Sequence, residues 1–114
     1  MRFIVLGILF VGEAIGIWAE MMGARAYAQT GATFGSALLP TVIPILLSAF
    51  LLITSYTLGL RAFSNIWAVS AISVGSILII EPLFNLLYIG QAPTFGAGLG
   101  FVLGVAGILS SLLL

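Results

Sequence analysis

Apolar residues run through this chain in four long blocks, about 3–22, 38–60, 64–89 and 95–114, instead of alternating with polar positions. Each block meets the roughly 20 predominantly apolar residues that a bilayer-crossing helix needs. The blocks are apolar on all sides, so no amphipathic stripe marks an inner face, and the faces have to be read from small and polar residues. The breaks between them predict the connections. "GARAYAQTGATFGSA", residues 23–37, is the longest, with Gly23, Gly31 and Gly35 among polar residues. Arg61 closes the second block, and "GQAPT" turns the chain from the third into the fourth. Pro40 fits a first helical turn, where its missing N–H is not needed; Pro44, one turn deeper, is expected to loosen that end. Pro82 inside the third block has no N–H for the carbonyl of Leu78 and is expected to bend the helix.

Composition turns this pattern into a class. Of 114 residues, 62% are hydrophobic and 5% charged, with a mean hydropathy of +1.36. Soluble domains carry about 25% charged residues, so the solvent expected here is lipid. The expected fold is an all-α integral membrane protein, one four-helix transmembrane domain over residues 1–114. Cysteine and histidine are both absent, which removes disulfide frameworks, thiolate chemistry and the usual zinc or haem ligands. No cofactor and no enzymatic activity are expected. A formal net charge of zero without a basic cluster gives nucleic-acid binding no support. The opening "MRFIVLGILFVG" has the charged start of a secretory signal, but its apolar run continues past signal length, so it reads as a retained helix. Short connections make successive helices antiparallel and place both termini on one side. Arg2 and Arg61 then share one side against Arg25 on the other, a bias of one residue that favours cytoplasmic termini only slightly and permits dual insertion.

Three acids stand inside the apolar blocks. Glu13 lies near the middle of the first, where an ionisable group costs about 2.5–3.5 kcal/mol on insertion scales and marks a pathway or a partner. A proton and a cation neutralise the same buried carboxylate and so compete for it, which is the property a proton-coupled carrier uses. Gly12 and Gly16 beside it leave room for a helix or a ligand. The alternative is a protonated Glu13 hydrogen-bonded within the bundle. Glu20, two turns further on, reads as a boundary charge, solvated or paired with Arg25. Glu81 shares a polar stripe with Ser70, Ser73, Asn85 and Tyr88 that can line a pathway or form an interhelical seam. Gly96, Gly100 and Gly104, followed by Gly107, make a small-residue ridge suited to close packing against another helix of this chain or of a second one. Trp18 and Trp67 read as interface anchors or as aromatic walls around a cation.

These residues resemble those of the small multidrug resistance transporters of the drug/metabolite transporter superfamily. "GEAIG" in the first helix is similar to the family segment that carries its proton- and cation-binding glutamate, which maps that role onto Glu13. "GFVLGVAGIL" resembles the dimerisation stretch of the fourth helix, with its glycines at Gly100 and Gly107, and "YIGQAPTFGAGLG" resembles the turn before it. The resemblance covers nearly the whole chain. It departs from the family pattern where Glu20, Met21 and Met22 stand in place of a basic residue, where "NIWAVSAISVG" replaces an aromatic-rich segment, and at the additional Glu81. The resemblance implies a proton-coupled antiporter of small cationic or amphipathic compounds in a bacterial inner membrane, working as an antiparallel homodimer. Glu13, Gly16, Trp67, Ser70 and Glu81 are the expected proton and substrate residues. Two further readings stay open: a non-transporting subunit of a larger membrane complex, and a subunit of a lipid or lipid-linked sugar flippase.

Overall fold

The computed structural model describes residues 1–29, 31 and 33–114, for Leu112 the backbone only. Thr30 and Ala32 of the expected long loop lie outside the described residues. The described chain is all-helical: α1 (Arg2–Tyr27), α2 (Phe34–Leu38), a 3-10 turn (Leu39–Thr41), α3 (Val42–Phe63), α4 (Ile66–Phe84), a π-helical turn (Asn85–Ile89) and α5 (Phe95–Leu113). Three of the helical stretches, Arg2–Tyr27, Phe34–Phe63 and Ile66–Ile89, are long and apolar enough to cross a membrane; α5 is apolar but shorter.

The boundaries differ from the expected ones for local reasons. α1 continues five residues beyond Met22 because Gly23 is a packing position here and not a breaker. A Cβ at Gly23 would stand 3.4 Å from Cγ2 of Thr41, and Ala24, Arg25 and Ala26 are strong helix formers. Within the expected loop, Thr33 and Ser36 cap α2 reciprocally: the Ser36 N–H donates to Thr33 Oγ1 at 3.1 Å and the Thr33 N–H to Ser36 Oγ at 3.0 Å. Pro40 takes the opening of the 3-10 turn. Pro44 falls in the first turn of α3, directly after the 3-10 turn, so the loosening expected at that end lies at Leu39–Thr41. Ser64, left-handed at φ 57°, ends α3, and Asn65 caps α4 by accepting from the Trp67 N–H at 2.9 Å. α4 passes through Pro82 and loosens one residue after Phe84 into the π turn, which Gly90 closes at φ 82°.

Packing follows from small residues meeting across helices. α1 and α3 run antiparallel, with Gly23 beside Thr41, Gly16 beside Ser48, Gly12 beside Leu51 and Leu52, and Val5 beside Gly59. Val69 also contacts Gly59, which brings the start of α4 onto the same junction. α4 then runs parallel to α1, since Glu13 meets Ser73 and Arg25 meets Tyr88. α5 returns along α4, with Gly104 against Leu78 and Gly75 against Ile108. Both termini therefore reach the same end of the molecule, as the connection lengths predict.

The buried interior contains few large side chains. Val5, Leu9, Ile17, Val69 and Ile80 are joined there by Ala19, Ala37 and five hydroxyls, those of Thr41, Ser48, Ser55, Ser73 and Ser76. The large apolar residues point outward: Phe3 is 87% exposed, Ile43 78% and Phe95 88%. An apolar exterior around a core of small and hydroxylated residues is compatible with an integral membrane protein, in which close backbone approach holds helices together where the solvent is itself apolar. The molecule is also flat, 49 × 34 × 18 Å, with a radius of gyration of 15.7 Å. A compact domain of this length has about 13 Å. The excess arises because α5 extends the slab from α4 and does not cover α1 or α3.

Candidate functional site

Glu13 is placed by the way α1 is pinned to its neighbours. On one face of α1, Gly12, Gly16, Ala19 and Gly23 lie at helical spacing and approach α3. The Ser48 hydroxyl of α3 crosses that gap and donates to the Gly12 carbonyl at 2.7 Å. A Cβ at Gly16 would come within 2.7 Å of the same Ser48 Oγ, so only glycine allows this approach undisturbed. With that face fixed, the adjoining one presents Glu13 to α4. The Ser73 hydroxyl, in a residue 6% exposed, donates to Glu13 Oε1 at 2.5 Å. Glu13 itself is half-buried.

The other acids gather further along the same pair of helices. Glu20 is exposed and lies within electrostatic reach of both Glu81 and Glu13. Glu81 is half-buried, on α4 at the level of Glu20. Arg25, the expected partner of Glu20, instead places its guanidinium 4.8 Å from the centroid of the Tyr88 ring in the π turn. At the opposite end, Arg2 donates from Nε to the Ala62 carbonyl at 3.3 Å and lies 5.4 Å from the Phe63 ring centroid. This puts a positive charge on the carbonyl end of α3, the favourable end of its dipole for a cation. Arg2 and Arg61 thus share one end of the bundle and Arg25 marks the other.

The residues named from sequence divide between separate places. Glu13 and Gly16 belong to the α1 junction. Trp67 and Ser70 line a groove between α4 and α5 with Asn65, Gly107 and Ser111, and Trp67 is 80% exposed. It therefore stands apart from Glu13, and the serine that reaches the carboxylate is Ser73, not Ser70. Phe10, Ala14 and Trp18 of α1 face Ile80, Leu83 and Leu87 across a groove of about 450 Å³, whose lining does not include Glu13. On α5, Gly104 contacts Leu78, while a Cβ at Gly96, Gly100 or Gly107 would meet nothing within 4 Å. Sequence reasoning did not single out Ser48. The signal for it was a polar residue seven positions after Thr41 and seven before Ser55, a period that keeps all three on one helix face.

Comparison with protein-family models, with curated proteins and with solved structures returns no match for this chain. Among the described residues no cluster of three or more metal-ligating side chains occurs. The chemistry on view is that of one carboxylate in an apolar helix held by a hydroxyl of a second helix.

Proposed function

We propose that this chain is a four-helix integral membrane transporter that exchanges protons for a small cationic or amphipathic compound, with Glu13 as the shared site. The observation that carries the reading is the placement of Glu13: a carboxylate in the middle of an apolar helix, hydrogen-bonded to Ser73 of a second helix. A carboxylate so placed binds a proton or a cation. The resemblance of "GEAIG" to the small multidrug resistance transporters supports the same residue. In that reading the open face of α5 receives a second copy of the chain, and the molecule resides in a bacterial inner membrane. The test is uptake of a lipophilic cation into liposomes holding the purified protein under an imposed pH gradient. Glu13→Gln should reduce the gradient-driven rate to background while leaving the protein folded. Undiminished uptake by that variant, or none by the wild type, overturns the proposal.

A second reading rests on the same open face, since no residue along the described part of α5 is buried. In it the chain is a non-transporting subunit, either of a larger membrane complex or of a lipid or lipid-linked sugar flippase, and α5 packs on another polypeptide. Isolation from native membranes with mass identification separates the two: a homodimer supports the carrier, and unlike chains at fixed stoichiometry support the subunit.

A further inference from the structure

A hydroxyl in an apolar helix ordinarily bonds the carbonyl one turn back on its own helix. Thr54, Ser55, Thr57 and Ser76 do so, donating to Phe50, Leu51, Ile53 and Ile72 at 2.8–2.9 Å. Ser73 does not, although it lies one helical turn after Val69 on the same helix and only three residues before Ser76. Its hydroxyl crosses to α1 and donates to Glu13 Oε1. Ser48 also crosses, but its acceptor is the Gly12 backbone carbonyl, whose charge never changes. Among these hydroxyls Ser73 is the one bonded to a group that can gain or lose a charge.

We propose that Ser73 is the positioning residue of Glu13, orienting its carboxylate in the unloaded state and linking the α1–α4 contact to what that carboxylate binds. The inference rests on the reading of Glu13 as the proton and cation site. A hydrogen bond donated to a carboxylate favours its charged form, and bonds to charged groups are stronger than bonds to neutral ones. When a proton or a cation takes the carboxylate, the Ser73 hydroxyl has the Val69 carbonyl as its alternative acceptor, the arrangement that Ser76 already adopts with Ile72. Loading Glu13 therefore loosens the tie between α1 and α4 without leaving the Ser73 hydroxyl unsatisfied.

The experiment is an infrared titration of the full chain in lipid bilayers with carboxyl-labelled glutamate, the Glu13 band being identified by its loss in Glu13→Gln. Because it reads protonation directly, it is independent of transport. Ser73→Ala should move the Glu13 midpoint about one pH unit upward, a tenfold change in proton affinity, and shift its carboxylate stretch. Ser73→Thr, which keeps the hydroxyl, should restore both. Ser76→Ala removes an equally buried hydroxyl from the same helix and should change neither. A Ser73→Ala midpoint equal to that of the wild type overturns the proposal, as does an equal shift in Ser76→Ala. If the midpoint moves as expected while Glu13→Gln still supports cation uptake, the positioning role stands and the carrier reading fails.

Discussion

Two runs of glycine at the same helical spacing have opposite environments in this molecule. On α1, Gly12 and Gly16 lie against α3 and Gly23 against the 3-10 turn before it, at distances where an added Cβ would meet a neighbour within 2.7–3.4 Å. On α5, Gly96, Gly100 and Gly107 face open space, and only Gly104 touches another helix. The difference lies in the facing surface. α3 and the turn before it present Thr41, Ser48 and Ser55 on one side, small enough for the backbones to approach, and Ser48 bonds across the gap. α4 presents Leu78 and Ile108 of α5 meets Gly75, so the α4–α5 contact is made by branched side chains over single glycines. A small-residue ridge thus identifies a helix that can be approached closely, and the complementary helix decides whether it is.

The largest effect expected from this contrast is at Gly59, where α1, α3 and α4 meet. A Cβ there would lie 2.9 Å from Cγ2 of Val69 and 3.2 Å from Cγ1 of Val5, two fully buried and β-branched side chains with little rotamer freedom. Gly59→Ala is expected to destabilise by about 1–2 kcal/mol, since overpacking costs about 1–3 kcal/mol and the helix gains up to about 1 kcal/mol from alanine. Equilibrium unfolding in detergent micelles measures it, and a variant as stable as the wild type would show the junction to be looser than its geometry.

A smaller loss is expected at Gly16, because the obstructing atom is the rotatable Ser48 Oγ, 2.7 Å away. Alanine there turns the Ser48 hydroxyl off the Gly12 carbonyl and forfeits a cross-helix bond of about 0.6–1.7 kcal/mol, partly offset by helix propensity. The net destabilisation expected is about 0.5 kcal/mol, and combining Gly16→Ala with Ser48→Ala should cost no more than Ser48→Ala alone. Additive losses in that double-mutant cycle would mean that Gly16 and Ser48 do not act as a pair.

How much of this was legible beforehand depended on whether a feature is local. The helical blocks were, because length and apolarity act within one segment, and so was the common end of the termini, which follows from short connections. The start of α3 was so only in part: Pro44 signals a loosened end, but not that it takes the form of a 3-10 turn with a short capped helix before it. Glu13 could be picked out as an acid among apolar residues, but its partner could not. Ser70 and Ser73 are equivalent in type and neighbours on the helix, and which one meets the carboxylate depends on the level at which α4 lies beside α1, set at the Val5–Gly59–Val69 junction. Trp67 shows the same limit. An aromatic at a helix start reads as a wall around a cation, yet the rotation of α4 turns Trp67 toward α5 and leaves it exposed, apart from Glu13.

Gly104 gives the smallest expected effect and the sharpest check on the comparison, since it alone on α5 resembles the α1 glycines. Its added Cβ would meet Cδ2 and Cδ1 of Leu78 at 3.2 and 3.3 Å, close to the 3.1 Å at which a Cβ added to Gly12 would meet Leu52 Cδ2. The surroundings differ. Leu52 belongs to the α1–α3 seam, where Leu51 Cβ at 3.2 Å also bounds Gly12 and Ser48 ties the two backbones together. Leu78 ends beside a helix whose other described side chains are not buried, so its terminal methyls can turn aside at little cost. Gly104→Ala is therefore expected to change unfolding stability by no more than about 0.5 kcal/mol in either direction, the gain in helix propensity offsetting the displaced methyls. A loss as large as that of Gly59→Ala in the same detergent titration would mean that α5 is held as tightly as α1, and the distinction between a closed ridge and an open one would fail.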